Sequence, residues 1–302
     1  MRRFAADVWW VAVYELGEAV RTRLFQLVLL LYVGGIAGST WFFVKLLQGA
    51  EESAASTLGV PGTERPGAMM GTFLQNAELI AFVGRFAGPA ANVPELLKEP
   101  LLGLFIGMVS MALLPAVLTF SASGSIAAEV KSRSIRYLLC RTGRLQIGLG
   151  KLAGQLLIAL VATALGGAVC WALGMTLMVG NPPADLALSL LERSARATIW
   201  ALPFAGLGLA ASQWIPSPNG ARVVAGSVIF AMPLGAFWLH LKSGTDLLGR
   251  LADLAGMFIA TTAWTDFWST DPSVFAAAAV RSVVLAVVYY SLGHVIFARR
   301  NL

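Results

Sequence analysis

The stretch from Leu101 to Ala128, LLGLFIGMVSMALLPAVLTFSASGSIAA, contains no Asp, Glu, Lys or Arg and is closed at its far end by Glu129 and Lys131. An uncharged run of about 20 residues lets a helix cross the roughly 30 Å hydrocarbon core of a bilayer, where only helices or closed barrels satisfy every backbone group. Five further runs have the same character: Leu24–Val44, Leu152–Val179, Ala197–Ile215, Val223–Leu239 and Val274–Ala298. Only the last carries ionisable groups of note, Arg281 near one end and His294 near the other. A charge at mid-membrane costs about 2.5–3.5 kcal/mol on the gentlest scale, so absence of charge on this scale has a physical cause. With 57% hydrophobic and 13% charged residues and a mean hydropathy of +0.74, the chain lies far from an average soluble domain, where about a quarter of residues are charged. The expected fold class is all-α: an integral membrane bundle of six transmembrane helices with an N-terminal interfacial helix, forming one transmembrane domain over residues 1–302.

Lys and Arg concentrate on cytoplasmic loops, which orients the runs. With the N-terminus inside, the inner segments hold 13 basic residues against 4 acidic ones, and the outer segments hold 9 basic against 12 acidic. Six spans with both termini inside account for this asymmetry; an odd number would place Arg299 and Arg300 on the wrong face. Residues 1–23 form the lead-in. Within it, residues 4–22 read as an interfacial helix, because Asp7, Tyr14, Glu18 and Arg21 recur at helical intervals while Trp9, Trp10, Val13, Leu16 and Val20 occupy other faces. Residues 48–100 form a large extracytoplasmic loop rich in Gly, Pro and Glu, in which Met69, Met70, Phe73, Leu74, Ala77 and Ile80 fall near helical spacing. A second outer segment, residues 242–273, carries Trp264, Phe267 and Trp268, rings suited to the interfacial layer or to packing on the spans.

Several chemistries find no support. Gly148-Leu149-Gly150-Lys151-Leu152 resembles half a phosphate loop, but Leu145 stands where the motif needs Gly and Leu152 where it needs Ser or Thr. No polar segment reaches the about 100 residues of an ATPase domain. Cys140 and Cys170 read as a bystander thiol and a packing residue, and His240 and His294 fall near opposite faces, so no metal ligand set is expected. The runs offer no mid-membrane carboxylate of the kind that couples carriers to protons or sodium. The net charge of +6 gathers at membrane edges rather than on a soluble face, which argues against nucleic acid. Small-residue pairs, Gly34 with Gly38 and Gly150 with Gly154, read as points of close helix contact.

The inner segment from Glu129 to Lys151 is the densest basic stretch. Its ordered series Glu129, Leu138-Leu139, Arg144 and Gly150-Lys151, with Tyr14-Glu15-Leu16 and Arg21-Thr22-Arg23-Leu24-Phe25 near the N-terminus, resembles the permease subunits of ABC transporters of the ABC-2 exporter type. The chain departs from that pattern at Arg133-Ser134, where the family often has Gly-Thr, and at Thr142-Gly143, where it often has a proline in the turn. The resemblance implies a multi-pass permease of the cell (inner) membrane, non-catalytic by itself, with no cofactor on this chain and with ATP and magnesium on a separate ABC ATPase subunit. It implies that residues 129–151 form a cytoplasmic coupling loop, with Glu129, Lys131, Arg133, Arg136, Leu138, Leu139, Arg141 and Arg144 as its ATPase contact. It further implies a homodimer, or pairing with a related permease. The alternatives left by the residues alone are a single-component secondary carrier and a membrane assembly or scaffold protein.

Overall fold

The computed structural model describes residues 2–58, 65–68, 77–89, 91–180, 182–242 and 247–299. Among them there is no strand. The helices are α1 (Arg2–Arg21), α2 (Arg23–Leu58), α3 (Ala77–Ala87), α4 (Val93–Leu96), α5 (Leu101–Lys131), α6 (Ile135–Leu139), α7 (Arg144–Leu177), α8 (Pro183–Trp214), α9 (Pro218–Lys242), α10 (Leu247–Met257) and α11 (Pro272–Arg299), with 3₁₀ turns at Ala260–Ala263 and Thr265–Trp268. Of the expected outer amphipathic helix, Ala77 and Ile80 lie in α3, while Met69, Met70, Phe73 and Leu74 fall outside the described residues.

The long helices α2, α5, α7, α8, α9 and α11 run in alternating directions between two ends of one bundle. At one end Glu99 pairs with Arg193, Arg196 donates to the carbonyls of Phe267 and Ser269 (2.9 Å each), and Val179 N donates to Pro66 O (2.9 Å). At the other end Lys151 meets Glu15 and Glu129, Arg144 reaches the last turn of α11, and the Trp214 indole donates to Leu292 O at 3.3 Å. Five of these helices are long and apolar enough to cross a membrane: α2, α5, α7, α9 and α11. The sixth, α8, also joins the two ends, but Asp185, Glu192, Arg193 and Arg196 occupy its first half. Asp185 and Glu192 are exposed, whereas the two arginines are accommodated by protein: Arg193 is 3% exposed, held by both carboxylate oxygens of Glu99 and lying over the Trp268 ring at 5.3 Å.

α5 and α8 make the most extensive helix pair and form the centre. Glycines on α8 set the approach: a Cβ at Gly208 would meet Ala122 of α5 at 2.8 Å, and one at Gly206 would collide with the Ala286 carbonyl of α11. Pro115 inside α5 has no N–H to give the Met111 carbonyl four residues back. That carbonyl instead accepts from the Trp200 indole of α8 at 3.0 Å, and Thr119 Oγ1 donates to Phe204 O at 3.1 Å. The proline thus creates a buried acceptor that a neighbouring helix fills.

The structure adds detail to three of these readings. α2 continues past Gln48 to Leu58, supported by side-chain bonds from Lys45 to Gln48 (3.0 Å) and from Gln48 to Glu52 (3.1 Å) along one face. Phe267 and Trp268 fold inward, buried against Phe86 and Trp200, because Arg196 ties the backbone around them to α8; these rings therefore pack on the spans. Gly34 and Gly38 have no other group within 4 Å of their missing side chains, so they make no close contact among the described residues, whereas Gly150 and Gly154 do.

Candidate functional site

α1 carries Val11, Ala12, Glu15 and Ala19 at spacings that put them on one buried face, leaving Trp9, Trp10, Val13 and Tyr14 exposed. That face lies directly on α7. A Cβ at Gly150 would meet Val11 at 2.5 Å, and one at Gly154 would meet Glu15 at 2.8 Å and the Ala12 carbonyl at 3.2 Å, so the helices touch only because both positions are glycine. Lys151 lies beside this contact. Its ammonium donates to Glu15 Oε2 at 2.5 Å and to Glu129 Oε1 at 2.9 Å, while Gln155 Nε2 reaches Glu15 Oε1 at 3.5 Å. Lys151 is 2% exposed and Glu129 9%, so this is a buried ion cluster joining α1, the end of α5 and the start of α7. Breaking such a cluster by removing one member costs about 3–5 kcal/mol, because an uncompensated charge remains in low dielectric. Glu129 Oε2 has no hydrogen-bond partner among the described residues.

α6 sits between the two helices that this cluster clamps. α5 ends at Lys131 with Ser132 as its cap, and Arg133 follows with φ 61°, the left-handed region that favours glycine. Arg133 therefore carries strain there that a glycine would not. Ile135 is buried against Ala122, Ile126, Tyr290 and Phe297, with Leu139 one turn on packed at the edge of the same cluster. Tyr137 is 80% exposed, and Arg136, Arg141, Lys131 and Arg133 are exposed around it. Leu138 is half-buried. Gly143 precedes α7 in an extended conformation, φ −75° and ψ 161°, which proline also adopts, so the turn keeps its shape without one.

The eight expected contact residues therefore divide. Lys131, Arg133, Arg136 and Arg141 present themselves at the bundle end, with Leu138 and Leu139 half-buried beneath them. Glu129 turns inward to Lys151. Arg144 turns to α11, where its guanidinium donates to the carbonyls of Phe297 (3.1 Å) and Ala298 and lies 5.8 Å from the Phe297 ring, a cation closing a helix C-terminus. Sequence reasoning did not assign a joint role to Glu15, Lys151 and Gln155; the available signal was a carboxylate, Glu15, within the apolar stripe of α1. Outside the spans, the Glu18 carboxylate accepting from the Tyr14 hydroxyl, helped by burial, pushes that phenol up to about 12.

The structure is thus a helical bundle of membrane-spanning length with a buried charge cluster at one end and an exposed, aromatic-tipped short helix beside it. The family described as ABC-2 family transporter protein matches residues 9–302, and the chain belongs to that family. It is accordingly an ABC transporter permease subunit, an integral multi-pass membrane protein that is not catalytic itself. No curated protein matches the chain.

Proposed function

We propose that this permease forms the membrane half of an ATP-driven exporter, with α6 as the coupling helix of a separate ATPase subunit that binds ATP and magnesium. The observation that carries the reading is the placement of α6: its Tyr137 tip is exposed while Ile135 roots it in the bundle, between two helices whose ends Lys151 fastens together. A push on α6 acts on α5 and α7 as one body, and through Glu15 on α1. A partner can shift the permease between two states only through contacts that differ between them, and α6 is where such contacts fit. The basic excess of the inner segments supports cytoplasmic termini and a cytoplasmic α6 in the cell membrane, and a translocation pathway is completed by a second copy or a related permease.

Purified alone, the chain is expected to hydrolyse no ATP, and the complex drawn from its native membrane to do so. Tyr137→Asp should preserve chain yield yet reduce ATPase association by about tenfold, on the order of 1.4 kcal/mol. Undiminished association in that variant would contradict the assignment of α6.

A further inference from the structure

Beside the ion cluster lies a chamber of about 350 Å³ whose polar wall includes Glu15, Glu18, Glu129, Lys151, Arg222 and Ser125. Its apolar wall, Leu24, Val28 and Phe120, continues into a groove of about 460 Å³ that adds Leu31, Leu113 and Val117. Arg222 lines both spaces. Leu24 and Leu31 on the rim are exposed, so the groove opens sideways from the bundle, the direction in which a membrane protein meets lipid.

The two spaces have complementary unmet needs. Lys151 is consumed by Glu15 and Glu129, yet Glu129 keeps one buried oxygen, Oε2, without a partner. Glu18 adds a further carboxylate, so carboxylates outnumber cations and the chamber attracts positive charge. Arg222 is the exception. Its Nη1 bonds only the neutral Asn219 Oδ1, at 3.1 Å, and its buried Nε has no partner among the described residues. Gly124 provides the space for this guanidinium, since a Cβ there would meet Nη2 at 2.6 Å.

From this arrangement we infer that the chamber and groove together bind a zwitterionic phospholipid of the adjoining leaflet, its phosphate on Arg222, its ammonium beside Glu129 and Glu18, and one acyl chain along Val28, Leu113 and Phe120. An anionic headgroup would satisfy Arg222 but face the carboxylates, and a cationic amphiphile would satisfy the carboxylates but leave Arg222 unpaired against a like charge. Only a headgroup with both signs meets both sets, through charge-assisted bonds. The binding stands whether or not the lipid is itself moved.

The test uses the full chain in nanodiscs doped with one of three lipids carrying the same diazirine-labelled tail: a phosphatidylethanolamine, a phosphatidylglycerol or a trimethylammonium-propane lipid. Adduct sites are mapped by mass spectrometry. The phosphatidylethanolamine should label Val28, Leu113 and Phe120 about fivefold more than either other lipid, and Arg222→Gln should remove about fivefold of that labelling. Ser121→Trp, which fills the chamber without touching an ion pair, should remove it as well. Labelling of the exposed Phe230 and Leu234 on α9 should stay constant in both variants and report an intact fold. Equal groove labelling by the three lipids, a preference for either singly charged lipid, or groove labelling that survives Ser121→Trp would overturn the proposal; if Arg222→Gln disturbs the α9 pattern, Ser121→Trp decides alone.

Discussion

Lys151 is held 2.5 Å from Glu15 and 2.9 Å from Glu129 with 2% of its surface exposed, so protein rather than water neutralises its charge. Lys151→Met leaves two enclosed carboxylates without a cation and should destabilise the detergent-solubilised chain by about 3–5 kcal/mol. Adding Glu15→Gln and Glu129→Gln to that variant removes the orphaned charge, and most of the lost thermal stability should return; a triple variant no more stable than Lys151→Met would show that the cluster is not the source of the loss. Arg133 makes the opposite case. Its φ of 61° places a residue with a Cβ where glycine is at ease, at a cost of about 1–3 kcal/mol. Arg133→Gly should raise the melting midpoint, and a lowered midpoint would mean that the guanidinium supplies a compensating contact.

At the scale of elements, α5 and α8 are joined by a bond that depends on a missing one. The Met111 carbonyl is free because Pro115 cannot donate, and the Trp200 indole takes it at 3.0 Å. Trp200→Phe should cost about 1–3 kcal/mol, the penalty for a buried acceptor left empty. In a Pro115→Ala background the helix can satisfy that carbonyl itself, so the same Trp200→Phe change should cost less; equal costs in the two backgrounds would refute the link. The junction of α1 with α7 depends on size in the same way. Gly150→Leu would drive a side chain into Val11, which lies 2.5 Å from the Cβ position. It should release α1 from the bundle, read as cleavage between α1 and α2 by added protease, while the far end, tied by Arg193 and Glu99, remains resistant. An α1 as resistant as in the parent chain would show that the helix does not depend on this contact.

At the scale of the molecule, the proposed topology puts α6 and the end of α2 on opposite sides of the membrane. With Cys140 and Cys170 removed, single cysteines at the exposed positions Ser56 and Ser132 should react with an impermeant reagent from opposite sides. Labelling of both in intact cells would sink the topology. The uncharged stretches made the spans and their order legible in the sequence, because the bilayer excludes charge whatever the neighbours are. α8 was legible only in its second half. Its first half holds Arg193 and Arg196 within the bundle, which works only because Glu99, Trp268 and the backbone around Phe267 lie beside them, and those partners are distant in sequence. The site divided along the same line. The exposure of Lys131, Arg133, Arg136 and Arg141 follows the dense basic stretch, but Tyr137 carried no charge to single it out, and the inward turns of Glu129 and Arg144 depend on Lys151 and α11, which local spacing does not reveal. The central claim is that α6 seats an ATPase. It is tested most directly by replacing Tyr137 with benzoylphenylalanine, irradiating native membranes and identifying the adduct by mass spectrometry. The account predicts a cross-link from position 137 to a polypeptide carrying a phosphate loop, and none from the same probe at Trp9. Adducts at position 137 confined to lipid or to this chain itself would contradict it.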